Sequence, residues 1–215
     1  MKKLMALLIA FMMLGICSPS SGLLLIYKMS APVKGVDDTT GLAVSVPLKA
    51  YLILDFDSEG AFRDANLITY GLDNLRSKVF YQLNDSDSDD FLDIALWGSG
   101  ENVPYFFIGL WCYGSESPFE FEGCMWGKMS AKDIGYGPME LWVVPSSMKG
   151  VFTCWLEMLL DTSQDISGTG NLKAKLDTPS TKLLNAADQT NEEAVTYITG
   201  LLQAAGYSQG TPPKL

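Results

Sequence analysis

The stretch "VSVPLKAYLIL", residues 44–54, decides how this chain folds. Val44, Val46, Leu48, Ala50, Leu52 and Leu54 recur at every second position and share one face, opposite Ser45 and Lys49. A period of two puts successive side chains on opposite faces of an extended backbone, so the run predicts a long, half-buried β-strand. The same reading applies upstream to "LLLIYKMSAPVKGV" (23–36). Downstream it applies to "NLITYG" (66–71), "KVFYQL" (78–83), "LDIALWG" (92–98), "YFFIGLWCYG" (105–114), "FEFEGCMWGKM" (119–129), "MELWVV" (139–144), "KGVFTCWLEMLL" (149–160) and "GNLKAKL" (170–176). Gly, Asp, Asn or Pro clusters bound these segments, and no stretch alternates strand and helix patterns as a parallel α/β sheet would. The expected fold is mainly β, an antiparallel sandwich or barrel forming one domain over residues 23–207.

One helix is expected, over about residues 191–205. In "TNEEAVTYITGLLQAAGY" Thr190 and Glu193 form a capping box, and Gly206 stands where the chain leaves the helix in a left-handed conformation. Ala194, Val195, Ile198, Leu201, Leu202 and Ala205 make one apolar stripe, which predicts docking on a sheet or across a barrel mouth. The tail, residues 208–215, reads as disordered.

At the other end, Lys2 and Lys3 precede the apolar run "LMALLIAFMMLGIC" and the small-residue stretch "SPSSG", the pattern of a secretory signal over residues 1–22. The protein is therefore expected to be exported to the periplasm or beyond. Lipid anchoring through Cys17 and an uncleaved signal are the two alternatives that would hold it at a membrane.

The chain is 47% hydrophobic with a formal charge of −10, a globular composition on the acidic side. Its basic residues are scattered along the sequence, which argues against a nucleic-acid partner, since phosphate backbones call for clustered Lys and Arg. The chain contains no histidine, which removes Ser-His-Asp and Cys-His nucleophile systems and His-ligated metal sites.

Three motifs carry what chemistry is left. "YLILDFDSEGAF" resembles, over this segment alone, the Asp-x-Asp loop of haloacid-dehalogenase-type phosphatases, with Asp55 as nucleophile and Asp57 as acid/base. That family buries its strand on both faces and follows it with a helix, whereas Lys49 and Tyr51 alternate with apolar residues here. The competing reading is a plain strand end. Glu120 and Glu122 fall on one face of a strand, opposite Phe119 and Phe121, and read as its wet side more readily than as a glycosidase pair. The third motif, "NDSDSDDFLD", resembles the short Asp-rich calcium loops of dockerin-like and FG-GAP-type repeats. The ligands would be Asp85, Asp87, Asp89 and Asp93 with the Phe91 carbonyl. Asp90 replaces the usual turn glycine, and the competing reading is a charged hairpin tip. Ca2+ is accordingly the one cofactor expected, if any.

Cys112, Cys124 and Cys154 form an odd set outside the cytosol. Cys112 and Cys124 flank what reads as a hairpin connection and are expected to pair, with three buried thiols as the alternative. The five tryptophans, Trp97, Trp111, Trp126, Trp142 and Trp155, read as core residues or as a carbohydrate platform. The chain as a whole resembles no family. The leading expectation is an exported, non-enzymatic binding or structural protein of the bacterial envelope or extracellular space. A carbohydrate-binding or carbohydrate-hydrolysing protein is the alternative, and a hydrophobic-ligand carrier requires a closed sheet with an unfilled interior.

Overall fold

The computed structural model describes residues 22–37, 41–58, 61–70, 78–84, 92–98, 105–112, 120–128, 145–155 and 166–210. The strands are β1 (Leu23–Asp37), β2 (Ala43–Phe56), β3 (Phe62–Tyr70), β4 (Val79–Asn84), β5 (Leu92–Gly98), β6 (Tyr105–Cys112), β7 (Glu120–Lys128), β8 (Ser147–Trp155), β9 (Ile166–Leu176) and β10 (Ser208–Gln209). Two helices, α1 (Thr178–Ala186) and α2 (Asn191–Ala204), lie between β9 and β10. The mainly-β class and the C-terminal helix are as expected. The strands form neither two packed sheets nor a closed barrel: one open sheet runs β10-β4-β3-β2-β1-β9-β8-β7-β6-β5. Every pairing is antiparallel except that of β10 with β4.

Strand order imposes curvature. β4 and β5 are consecutive in sequence, yet β5 is one edge of the sheet and β4 is flanked at the other edge by β10 alone. The nine strands from β4 to β5 laid flat would span about 38 Å at the usual spacing. Residues 85–91 alone join Asn84 to Leu92, and fully extended they reach at most about 28 Å. The sheet must therefore curl, and β5 indeed comes up to β3. On the concave face, Leu25, Tyr27, Leu52 and Leu54 from one half of the sheet share a core with Ile108, Leu110, Met125 and Phe152 from the other. The Tyr27 hydroxyl donates to the Pro145 carbonyl across this core at 2.9 Å. The cavity between Met29, Leu48, Leu67, Thr69 and Leu172 measures only about 10 Å³, so a single sheet fills its own interior here.

The convex face is covered over β1–β4. Leu24, Ile26, Tyr51, Ile53, Ile68 and Phe80 pack under Leu184 of α1 and Ala194, Val195, Ile198 and Leu202 of α2. The first half of β1 and the second half of β2 are thus buried on both sides, which explains why Leu23–Tyr27 reads as an unbroken apolar run. The capping box of α2 forms as expected, with Glu193 N–H donating to Thr190 Oγ1 at 3.3 Å and Thr190 N–H to Glu193 Oε2 at 2.8 Å. Gly206 has φ +87 in a Schellman turn, Tyr207 N–H reaching the Leu202 carbonyl. The stripe is narrower than expected, because Leu201 is 41% exposed and Ala205 faces solvent. Within the expected tail, Ser208 and Gly210 donate their N–H groups to the Lys78 and Phe80 carbonyls, which builds β10 on the β4 edge; residues 211–215 lie outside the described residues.

The helix α1 was not expected, although Asp177 before Thr178-Pro179 is a start signal. Its role follows from β9 ending at Leu176, opposite Tyr27, which leaves the first residues of β1 without a strand on that side. Side chains of α1 take over the ladder. Ile26 N–H donates to Thr181 Oγ1 at 3.2 Å, Leu24 N–H to Asn185 Oδ1 at 2.9 Å, and Asn185 Nδ2 to the Leu24 carbonyl at 2.7 Å. Replacing Asn185 by Ala strands a buried donor and acceptor on Leu24, so stability in urea unfolding is expected to fall by about 2–4 kcal/mol. Asp188, in the left-handed position after α1 with φ 51, completes a second Schellman turn through Gln189 N–H and the Leu184 carbonyl. Asp188→Gly is expected to raise the urea midpoint by a stability gain of about 1 kcal/mol, since glycine carries no Cβ penalty there.

Candidate functional site

Strand alternation sorts the uncovered part of the convex face into rows. Cross-strand partners share a face, so successive register pairs define a line across the sheet. One line runs Trp126, Lys149, Lys173, Ser30, Lys49, Tyr70 through β7, β8, β9, β1, β2 and β3. The next runs Ser147, Lys175, Lys28, Tyr51 and passes under the helices at Tyr51. A third runs Trp111, Glu122, Thr153, Thr169, Lys34. Lys28, Lys34, Lys49, Lys149, Lys173 and Lys175 are all exposed. Six of the fifteen basic residues of a chain with net charge −10 thus stand on one half-face of the sheet. Scattered in sequence, these lysines are gathered in space.

This arrangement costs stability. Lys149 stands opposite Lys173, and Lys28 opposite Lys175, where like charges repel. Lys28 finds relief in Asp177 at 2.9 Å and in the Tyr51 ring, 5.6 Å from its Nζ. The hydrogen bond to Asp177 is the chief reason its ammonium is held above the ordinary lysine range.

Between the first and third rows lies an open groove of about 740 Å³. Pro32 accounts for its position. Lacking an N–H, it interrupts the β1–β9 ladder, whose pairs resume only at Ser30 with Lys173 and at Lys34 with Thr169. Gly170 fills the gap, because a Cβ there would stand 2.5 Å from the Phe152 ring and 2.6 Å from the Pro32 carbonyl oxygen. Trp111 forms a wall, its indole lying over Gly109, where any larger residue would meet the ring. Glu122, Val151 and Asn171 line the rest.

The residues expected to carry chemistry fare differently. Asp85, Asp87, Asp89 and Phe91 lie outside the described residues, and Asp93 is in β5 opposite Trp111. The hairpin-tip reading of this stretch is corrected, since β4 and β5 do not pair but border the sheet at opposite ends. Among the described residues no group of three acidic or thiol side chains is placed to hold a metal ion.

Asp55 ends a strand with antiparallel neighbours on both sides and binds Arg63 at 2.7 Å. Asp57 turns the β2–β3 hairpin, its backbone N–H donating to the Ala61 carbonyl and its carboxylate accepting from Ala61 N–H, both at 2.8 Å. This is the plain strand end and not a phosphatase loop. Burial is the main reason the Asp55 carboxyl lies above the ordinary range, outweighing Arg63.

The register keeps Cys112 and Cys124 apart: Cys112 is opposite Phe121, Cys124 opposite Gly109, three positions along and on the other face. Cys124 is a free thiol whose pKa burial pushes up, which makes it a poor nucleophile at neutral pH. Cys154 is also opposite Phe121, from β8. Trp111 and Trp126 are half-buried on the convex face; Trp142 lies outside the described residues.

No protein-family model matches the chain, and no curated protein matches it. Lys173→Glu, which places opposite charges across from Lys149, is expected to raise stability by about 0.5–1 kcal/mol at low ionic strength. The gain should vanish in molar salt, where screening acts within about 3 Å, and thermal melts at the two salt concentrations check both parts.

Proposed function

We propose that this chain is an exported, non-enzymatic binding protein of the bacterial envelope or extracellular space, and that the lysine face is its ligand-binding surface. The observation that carries the reading is the set of six exposed lysines on one face of an otherwise acidic protein, with like charges opposed across the ladder. Like charges opposed across a ladder weaken the fold, and such a feature is best explained by what it binds. The ligand is then anionic, and the remainder of the acidic surface repels it, which confines it to this face. The lack of histidine in the sequence supports binding over catalysis.

The groove favours a second reading, carbohydrate binding. Trp111 offers a ring lying on the sheet, and Glu122, Thr153 and Asn171 supply acceptors and donors beside it. Such a combination suits a sugar, with its apolar ring face and its hydroxyl rim.

The anionic reading is tested with inorganic polyphosphate, a polyanion of simple structure. The purified protein is expected to bind it at low salt, with log K falling linearly as log salt rises. The double variant Lys149→Glu/Lys173→Glu should lose at least tenfold in affinity while melting no lower than the wild type. Absence of binding at low salt, or unchanged binding by the double variant, overturns the proposal.

A further inference from the structure

We infer that the lysine face takes an acidic polysaccharide, a sugar polymer carrying carboxylate or sulfate groups, laid across the strands. This rests on the reading of that face as an anion site and adds the class of ligand.

Shape is the first argument. The helices α1 and α2 stand on the same convex face, directly beside Lys28 and Lys49, and a helix with its side chains rises about 10 Å from its support. The lysines therefore line the floor of a ledge. A linear polymer can lie along such a ledge, whereas a flat bilayer would meet the helices before it met Lys173.

The order of groups along the ledge is the second. In the row Lys149, Lys173, Ser30, Lys49 the side chains follow one another at the inter-strand spacing of about 4.8 Å. One hydroxyl, Ser30, interrupts the charges, and the groove adjoining this row adds Thr169 and Asn171. A partner bearing both anionic groups and neutral hydroxyls satisfies all of them. A uniformly charged chain leaves the hydroxyls and the amide idle. The ammonium groups act as point charges without the planar fork that arginine offers to phosphate, so they accept carboxylate and sulfate presented at many angles.

The third argument is aromatic. Trp126 ends the lysine row as the direct neighbour of Lys149, and Trp111 stands on the far side of the groove. Both are half-buried, with part of each side chain left for a ligand. Sugar rings offer C–H faces to such surfaces, and inorganic polyanions do not.

The experiment compares four probes on the purified protein at one ionic strength: polygalacturonate, dextran sulfate, neutral dextran and inorganic polyphosphate. The two acidic glycans are expected to bind at least tenfold more tightly than polyphosphate and to shift tryptophan emission, which polyphosphate should leave unchanged. Lys149→Gln should weaken both glycans. Trp126→Leu should bring glycan affinity down to that of polyphosphate without altering the latter, which also shows that the variant is folded. Equal affinity for glycans and polyphosphate, with no emission change, overturns this inference and leaves the anion site standing. Tighter binding to phosphatidylglycerol vesicles or to single-stranded oligonucleotide than to the acidic glycans also overturns it. Failure of all the anionic probes removes the anion site together with the inference.

Discussion

Strands β4 and β5 follow one another in the chain and stand at opposite ends of the sheet, and the seven residues between them tie everything else to curvature. A flat sheet of this order cannot be connected by so short a link. Once it curls, its concave side becomes an enclosed interior that one sheet lines alone, and apolar residues from β1–β3 and β6–β9 meet there. The convex side diverges by the same motion. Half of it is covered by two helices, and the other half faces solvent. The lysine rows occupy that uncovered half, so the proposed binding surface is a consequence of how the interior is closed.

Within this frame β1 is the strand on which both faces depend. It pairs with β2 along its whole length, with β9 over its second half, and with the side chains of Thr181 and Asn185 over its first. Where β9 stops, α1 starts, and Asp177 at the junction holds Lys28. Pro32 then loosens the ladder once, at the place where the groove opens. The positions of Lys28, Ser30, Lys34, Lys173 and Lys175 relative to one another are all set by this one register.

Strand content was legible in the sequence because burial on one face leaves a period of two, as residues 44–54 show. The second helix boundary was legible because Thr190, Glu193 and Gly206 act through local backbone geometry. What escaped is what depends on pairing between distant segments. The acidic stretch looks like a hairpin tip from either flank, and only strand order reveals that its flanks are two edges. Cys112 and Cys124 bracket a plausible connection, but bridging depends on a register shift of three positions that no local pattern records. The lysines gave a partial signal, since Asn171, Lys173 and Lys175 alternate with Leu172, Ala174 and Leu176. Their company with Lys28 and Lys49 follows from the pairing of β1 with β9, which no local pattern announces. The short helix α1 buries one apolar side chain, Leu184, beside Ser180 and Thr181, and its chief contribution is polar.

The pairing of the first strand with the last long one also sets a timetable. Leu24 is bonded to Asn185, 161 positions later, and Tyr27 is opposite Leu176. During synthesis the central strand emerges first and waits for nearly the entire chain before its second neighbour exists. Contacts so distant in sequence make for slow folding, because the loop must be closed before any pairing rewards it. A nascent chain of this topology holds two separate runs of hairpins, β1–β4 and β5–β9, and completes its core only when β9 reaches β1. For a protein proposed to be exported, that delay is useful, since a chain that has not yet folded is the form that can be threaded through a membrane.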